Sequence, residues 1–233
     1  MHQTIARRLV AEAIGTSFLL TAVVGSGIMA ERLSGGNVAL ALLANTIATG
    51  AALLALILTF GPISGAHFNP IVSISSAIQN DLDWLDAIFY LFAQTLGAIS
   101  GVVLVNVMFG LSAISWSKHD RSGSLLMLSE FVASFGLVAV IISCVRRQQK
   151  LVSFAVAAYI SAAYWFTPST SFANPAVTIG RAMSDSFAGI APRNVLGFIV
   201  AQLVGGLVAT WLFSWLVPRR EGTEQLELDQ SRS

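Results

Sequence analysis

The 233-residue sequence has little charge and almost no cysteine. Only 11% of its residues are Asp, Glu, Lys or Arg, and 55% are hydrophobic. A typical soluble domain carries about 25% charged residues. The single cysteine, Cys144, excludes an internal disulfide and a metal cluster built on thiolates. A net charge of +1 gives no indication of nucleic acid or of an acidic partner. These properties predict an integral membrane protein formed by one compact bundle.

The chain also lacks the motifs of membrane enzymes and of ion-coupled transporters. It has no His-Glu-x-x-His run, no Gly-x-Ser-x-Gly elbow and no cluster of Cys and His. We therefore expect no enzymatic activity, no cofactor and no metal. A secondary transporter would need an intramembrane ionisable pair or a Na⁺ site, and neither is found in the sequence. That alternative would be supported by saturable counterflow or by dependence on a proton gradient.

Hydrophobic segments divide the chain into six predicted spans. A helix needs about 20 apolar residues to cross a bilayer. The candidate segments are Leu9–Ala30, Val38–Phe60, Trp84–Phe109, Leu125–Val145, Leu151–Phe166 and Val195–Val217. The basic stretch before the first segment resembles a signal peptide, but the apolar run is too long for a cleaved leader. The sequence thus predicts an all-α membrane protein with six transmembrane helices.

Two related motifs lie between these spans. They read Asn69-Pro70-Ile71 and Asn174-Pro175-Ala176. Proline suits the first position of a helix, and asparagine is a preferred N-cap. At about 1.5 Å per residue, helices over 69–79 and 174–185 would reach about halfway across a bilayer. We predict two re-entrant half-helices, which membranes tolerate when protein or a water-filled cavity surrounds them.

The two halves of the chain repeat each other. The matched pairs are Glu12 with Glu130, Asn69 with Asn174, and Gln94 with Gln202. Because each half has an odd number of spans, the second copy must be inverted, a layout that places a solute site near the midplane. We predict one channel domain over 1–217, with repeats over about 9–109 and about 125–217. A polar cytoplasmic tail over 218–233 is expected to be disordered.

The distribution of basic residues predicts the orientation. With both termini on one side, that side carries Arg7, Arg8, Arg146, Arg147, Lys150, Arg219, Arg220 and Arg232. The other side carries Arg32, Lys118, Arg121, Arg181 and Arg193. Cytoplasmic segments are enriched in Lys and Arg, so we expect both termini in the cytoplasm.

The duplicated Asn-Pro boxes in an inverted repeat, with a matched Glu in spans one and four, resemble the aquaporin and aquaglyceroporin family. The resemblance covers roughly Leu9 to Val217. It implies a homotetramer in the bilayer in which each monomer has its own pore. It also implies that Glu12 and Glu130 accept backbone hydrogen bonds from the re-entrant segments, a role that we favour over proton relay.

The Asn-Pro boxes are the predicted midplane of the pore. Asn69 and Asn174 would direct amide donors into it, where the positive ends of both half-helix dipoles oppose cations. Alternatively, the two residues are only helix caps. The other midplane residues would be Pro70, Pro175, Ala176 and Ile71. The family usually has Ala at the position of Ile71, so the bulkier side chain is expected to narrow the pore.

Backbone carbonyls and one histidine complete the predicted pore. Apolar side chains and the carbonyls of extended segments over 61–68 and 167–173 would line the remaining length. The family often places His before the first box, as His67 is here. His67 is therefore a candidate for the cytoplasmic mouth, either as a hydrogen-bonded loop residue or as a gating group.

A second departure from the family concerns the outer constriction. The position after the second box is usually Arg and is Val177 here. Counting without gaps places the remaining filter positions at Thr49, Ala162 and Ser171. This ring would be wide and neutral, so uncharged solutes larger than water should pass. Arg181, one turn beyond Val177, is either a substitute for the missing arginine or a surface residue at the outer mouth.

Valine after the second box resembles the bacterial AqpS-type branch, which is associated with arsenic resistance. The resemblance implies a multi-pass channel of the inner membrane. Its expected solutes are glycerol and related polyols, arsenite as As(OH)₃, methylated arsenicals and water. A water-selective aquaporin is the alternative.

Overall fold

The computed structural model describes residues 3–219, and this part of the chain contains eight α-helices. They are α1 (Ile5–Leu33), α2 (Val38–Ser64), α3 (Pro70–Ile78), α4 (Trp84–Met108), α5 (Ser124–Arg147), α6 (Val152–Phe166), α7 (Pro175–Arg181) and α8 (Pro192–Leu216). Five of them, α1, α2, α4, α5 and α8, are long and apolar enough to cross a membrane. The helix α6 is shorter, with 15 residues, and follows a 3-10 turn at Gln149–Leu151.

This architecture confirms the predicted all-α membrane fold with two short helices between the long ones. Both short helices begin where the Asn-Pro boxes predict, at Pro70 and Pro175. The predicted polar tail lies outside the described residues from position 220 onward.

The end of α2 differs from the sequence prediction. The helix continues through Pro62 to Ser64, so residues 61–64 are helical and not extended. A proline this close to a helix C-terminus removes one hydrogen bond, and the remaining turn still forms. Gly65 then ends the helix with a φ of 88°, a conformation that glycine adopts without steric cost.

Close backbone contact joins the helices within each half. The helix α1 packs on α4, and α5 packs on α8. A Cβ atom on Gly97 would lie 2.3 Å from the carbonyl oxygen of Ala13, and one on Gly205 would lie 2.3 Å from that of Phe131. Because glycine occupies both positions, the helix backbones touch at corresponding points of the two halves.

The half-helices connect the two halves of the bundle. Both α3 and α7 contact α4 of the first half and α8 of the second. Near the loop after α3, Arg8 pairs with Asp86 at 2.7 Å and Arg219 pairs with Asp81 at 2.5 Å. The N-terminus of α1 and the C-terminus of α8 therefore lie at the same end of the bundle, called here the terminal end. The far end carries the loops over 109–123 and 182–191.

Candidate channel through the bundle

A cavity of about 630 Å³ lies along the bundle and includes residues of both half-helices. At the terminal end its lining includes Gln79, Arg146 and Lys150. Halfway along, Asn69 and Asn174 face it, and toward the far end it is lined by Thr49, Tyr164, Ser171, Val177 and Arg181. Most of the other lining side chains are apolar. The wall of the cavity is therefore mainly apolar, with polar side chains at both ends and at the midpoint.

Asn69 and Asn174 bind each other's half of the chain. The Nδ2 atom of Asn69 donates to the carbonyl oxygen of Ala173 at 2.8 Å. The Nδ2 atom of Asn174 donates to the carbonyl oxygen of Phe68, also at 2.8 Å. An amide nitrogen carries two hydrogens, so one hydrogen of each side chain remains for a group in the cavity.

The same two residues also cap their own half-helices. The Oδ1 atom of Asn69 accepts from the backbone N–H of Ile71 at 3.1 Å. That of Asn174 accepts from the N–H groups of Ala176 and Val177 at 3.0 and 3.2 Å. Each asparagine side chain thus caps its half-helix and also lines the cavity.

The other midplane candidates are buried without reaching the cavity. Pro70, Pro175, Ala176 and Ile71 are absent from its lining. Ile71 is fully buried beside Val138, and a Cβ on Gly206 would lie 2.2 Å from its Cγ1 atom. Successive residues of a helix point about 100° apart, and here Val72 lines the cavity while Ile71 packs against Gly206 of α8. Ile71 therefore does not narrow the midplane, contrary to the prediction.

Glu12 binds the segment that precedes α3. Its carboxylate accepts from the backbone N–H groups of His67 at 3.0 Å and Phe68 at 2.7 Å. It also accepts from Ser64 Oγ at 2.6 Å and Gln94 Nε2 at 2.8 Å. Four donors on one fully buried carboxylate fix the approach to the first half-helix.

Glu130 has the corresponding contacts in the second half. It accepts from the N–H groups of Phe172 and Ala173, both at 2.9 Å, and from Gln202 Nε2 at 2.6 Å. Gln202 also donates to Thr178 Oγ1 at 2.9 Å, as Gln94 does to Ser73 Oγ at the same distance. The sequence matched the two glutamines as repeats but gave them no role.

The segments before both boxes share an unusual backbone. Ala66 and Phe68 have φ values of 51° and 49°, and the corresponding Ser171 and Ala173 have 48° and 49°. Each non-glycine residue in this region costs about 1–3 kcal/mol unless its surroundings enforce the conformation. The hydrogen bonds to Glu12 and Glu130 supply that enforcement, because they bind the N–H groups within these segments.

Toward the far end of the cavity, Tyr164 takes the place that the sequence assigned to Ala162. Of the four predicted filter positions, three line the cavity, namely Thr49, Ser171 and Val177. The fourth, Ala162, is exposed on the outer face of α6. Two residues of helix turn a side chain by about 200°, so an error of two positions reverses its direction. The count without gaps assumed the wrong spacing between α6 and the second box. Tyr164 is one of two tyrosines in this mostly apolar helix, and the need of its hydroxyl for a polar partner is the signal that could have identified it.

Close packing of α2 and α6 determines where the Tyr164 hydroxyl lies. It is 3.3 Å from Thr49 Oγ1. At the next residue, a Cβ on Gly50 would lie 2.2 Å from Ser161 Oγ. Glycine at this position lets the two helices approach until the hydroxyl groups meet.

Arg181 is inside the bundle and is not a surface residue. Only 2% of it is exposed, and its guanidinium lies 3.4 Å from the centroid of the Phe172 ring. Its Nε atom donates to the carbonyl oxygen of Ala188. A cationic side chain thus lines the cavity one turn beyond Val177.

A second arginine, Arg121, comes from the loop between α4 and α5. Its guanidinium lies 5.0 Å from the same Phe172 ring, and only 7% of the residue is exposed. Burial lowers the pKa of Arg121 to about 10, so the side chain remains a cation at neutral pH. Sequence reasoning placed Arg121 outside the membrane and gave it no role.

His67 lines the cavity on the terminal side of Asn69. Its Nδ1 atom is 3.0 Å from Ser73 Oγ, and its ring meets the edge of Tyr90 at a centroid distance of 5.4 Å. The Tyr90 hydroxyl accepts from Arg8 Nε and donates to the carbonyl oxygen of Ser64, both at 2.8 Å. Across residues 3–219, no group of three or more His, Cys, Asp or Glu side chains is placed to hold a metal ion.

The sequence and the fold are similar to those of known proteins. The family model described as major intrinsic protein matches residues 1–165. The chain is 50% identical over 211 residues to aquaglyceroporin AqpS of Rhizobium meliloti (strain 1021), covering 91% of this chain and 90% of that protein. It is 29% identical over 225 residues to aquaporin NIP1-4 of Oryza sativa subsp. japonica, covering 92% and 78%. The X-ray structure of the aquaglyceroporin from Plasmodium falciparum matches with a TM-score of 0.68 and 22% identity, covering 90% of this chain and 96% of that one.

Proposed function

Because this chain belongs to the major intrinsic protein family, we propose that it conducts uncharged solutes larger than water, namely glycerol, related small polyols and As(OH)₃. Membership of this family makes the protein an integral membrane channel for small solutes and not an enzyme. The resemblance to aquaporins and aquaglyceroporins is confirmed by the family match and by the solved fold. The range of solutes is the proposal.

The observation that carries the proposal is the composition of the constriction. Its lining combines hydroxyl groups on Thr49, Tyr164 and Ser171 with the apolar side chain of Val177. A polyol has carbon on one side and hydroxyl groups on the other, and these hydroxyls both donate and accept. Such a molecule can exchange water for these groups while its carbon side contacts Val177. A strongly hydrated ion finds no equivalent replacement here.

The midplane supports the same solutes. The remaining amide hydrogens of Asn69 and Asn174 can donate to a hydroxyl oxygen of a passing molecule. The two half-helix N-termini add positive dipole ends at this depth, which disfavours cations without affecting neutral molecules. We therefore assign Asn69 and Asn174 to the pore midplane, and Glu12 and Glu130 to its support.

Arsenite fits this chemistry because As(OH)₃ is neutral and carries three hydroxyl groups, as glycerol does. Methylated trivalent arsenicals replace hydroxyl groups by methyl groups and would use the apolar side of the constriction more. We include them, with water, among the expected solutes. The relative from Rhizobium meliloti is itself named an aquaglyceroporin, which supports a solute range beyond water.

The membrane arrangement is part of the proposal. We infer that both termini are cytoplasmic, from the excess of Lys and Arg at that end, and that the channel lies in the inner membrane. Large apolar side chains such as Trp211, Trp215 and Leu125 are about three-quarters exposed on the bundle surface, which suits contact with lipid or with neighbouring subunits. We expect a homotetramer, which light scattering of the detergent-solubilised protein would measure.

Stopped-flow light scattering on proteoliposomes tests the proposed solutes. Vesicles containing the purified protein should take up glycerol and arsenite faster than empty vesicles, without saturable counterflow. Saturation or dependence on a proton gradient would indicate a transporter instead.

A water-selective channel is the second candidate, and one observation favours it. Tyr164 places a phenol ring in the lining where Ala162 was expected to leave space. Vesicles that shrink rapidly in an impermeant osmolyte, yet do not re-swell with glycerol, would establish this alternative.

A further inference from the structure

Two arginines from different parts of the chain meet on one aromatic ring at the far end of the channel. The guanidinium carbons of Arg181 and Arg121 lie 3.4 and 5.0 Å from the centroid of Phe172. Phe172 lines the cavity and is 4% exposed. Cations are attracted to the face of an aromatic ring, most strongly where water is excluded. The ring therefore fixes both charges near the constriction.

The same short backbone segment binds both guanidinium groups. Arg121 donates from Nε to Gly189 at 2.8 Å, and from its terminal nitrogens to Ser169 at 3.2 Å and Phe187 at 3.5 Å, in each case to a carbonyl oxygen. Arg181 donates from Nε to the carbonyl oxygen of the intervening Ala188. In the loop after α7, Arg121 thus binds Phe187 and Gly189, the two residues that flank the Arg181 contact at Ala188.

Neither arginine has a carboxylate partner within residues 3–219. The ion pairs in this range are Arg8 with Asp86, Arg193 with Asp120 and Arg219 with Asp81. A buried charge without a counter-ion is unfavourable unless other polar groups solvate it. For Arg121, carbonyl oxygens surround all three nitrogens, and the residue does not line the cavity.

Arg181 differs from Arg121 in this respect. It lines the cavity, and within the described residues its terminal nitrogens have no protein acceptor. The residue is 98% buried, and its terminal nitrogens are not among the fully enclosed polar atoms, so we infer that their remaining accessible surface lies on the cavity. Nearby, the Oγ atom of Ser171 is also buried without a hydrogen-bond partner among residues 3–219. Both groups are available to a molecule in the channel.

We propose that Arg181 is the fixed charge by which this channel excludes cations, and that Phe172 and Arg121 are the residues that position it. This inference rests on the proposed function as a channel for neutral solutes. It places the charge one helical turn, about 6 Å along α7, beyond the neutral position of Val177.

The physical effect follows from the low dielectric of the site. A cation that reaches the constriction loses water and meets a full positive charge that bulk solvent hardly screens. A neutral polyol meets no such repulsion and can accept hydrogen bonds from the free guanidinium N–H groups. The channel can therefore have a neutral constriction at Val177 without losing its barrier to cations.

The test compares leak and conduction in the same proteoliposomes. Proton influx is driven by a potassium diffusion potential and read with an entrapped pH dye, and glycerol uptake is measured by light scattering. The variants are Arg181→Met, Arg181→Lys and, as a matched control, Arg193→Met, which removes an exposed arginine from the same end. We expect about a tenfold or larger rise in proton influx for Arg181→Met, and wild-type influx for Arg181→Lys and Arg193→Met.

An alternative structural role for Arg181, at the C-terminus of α7, predicts a different result. In that case, folded Arg181→Met protein would conduct glycerol with wild-type proton influx, and the proposal would be overturned. If vesicles with wild-type protein took up glycerol no faster than empty vesicles, the proposed function would be refuted. The comparison of proton influx among the variants would still stand.

Phe172→Leu and Arg121→Met keep the inference testable should Arg181→Met not fold. Each retains an apolar or extended side chain but removes one contact that positions Arg181. We expect a rise in proton influx of about threefold or more in each, with glycerol uptake preserved. Wild-type influx in both variants would show that neither residue positions the charge.

Discussion

The hydroxyl groups of Thr49 and Tyr164 lie 3.3 Å apart and join α2 to α6 at the wall of the channel. Both side chains are almost completely buried, so the pair faces the cavity and not the lipid. Replacing Tyr164 by alanine would remove the ring and widen the constriction. We expect the permeability ratio of erythritol to glycerol to rise about threefold or more in Tyr164→Ala, measured by stopped-flow light scattering.

Two variants separate the size of Tyr164 from its hydroxyl group. Tyr164→Phe retains the ring and should leave the ratio near its wild-type value. Ala162→Val adds bulk at the position that sequence counting favoured. Because this position is on an exposed face of α6, the variant should leave the permeability ratio unchanged. A ratio that responds to Ala162→Val and ignores Tyr164→Ala would return the filter position to Ala162.

In the proposed function, Val177 helps to set the maximum size of solute that passes the constriction. An arginine at this position would place a long, hydrated side chain in the constriction, next to the cation of Arg181. We expect Val177→Arg to lower glycerol and arsenite permeability about tenfold, and water permeability less. Vesicle shrinking measures water, and solute uptake in the same preparation measures the others. Equal losses of all three permeabilities would remove Val177 from the filter.

Local signals explain why the half-helices could be predicted from the sequence. An Asn N-cap followed by Pro acts through the backbone of two or three neighbouring residues, and both short helices begin there. The symmetry of the two halves was also visible, because Gln94 and Gln202 recur in register. Their contacts with Glu12 and Glu130 required the folded backbone.

The constriction could not be predicted in the same way, because it depends on how distant elements meet. Whether Ala162 or Tyr164 faces the channel depends on a rotation of α6 that no local signal specifies. The direction of the Ile71 side chain depends on the space that Gly206 leaves on the surface of α8, and only the packed structure reveals that space. The burial of Arg181 depends on Phe172 and on the carbonyl oxygen of Ala188, which belong to other segments.

Ile71 and Gly206 compensate for each other in size. A methyl group on Gly206 would come within 2.2 Å of Ile71 Cγ1, and overpacking of this kind costs about 1–3 kcal/mol. Ile71→Ala alone should lower the free energy of unfolding by about 2–5 kcal/mol, because it leaves a cavity in the core. We expect the double variant to lose less stability than the sum of the two, as measured by thermal unfolding in detergent.

The matched control for this cycle pairs Ile71→Ala with Gly197→Ala in α8, where a Cβ would meet Met127 and not Ile71. The losses in free energy of unfolding should add for this control pair, because distant sites without shared contacts act independently. Additive losses for Ile71 and Gly206 would mean that the two side-chain positions do not interact.

Glu12 and Glu130 support the re-entrant segments through their carboxylate oxygens. In a glutamine variant, one oxygen becomes an NH₂ group that faces backbone donors instead of accepting from them. Each lost charged hydrogen bond contributes about 1.5–3 kcal/mol, and the unpaired N–H groups stay buried. Glu12 accepts from four donors and Glu130 from three, so we expect Glu12→Gln to lower the unfolding temperature more than Glu130→Gln does. Both variants should also lose glycerol conduction, since the left-handed residues before each box would relax. A variant that keeps the wild-type unfolding temperature but no longer conducts would instead assign the carboxylate a direct role in permeation.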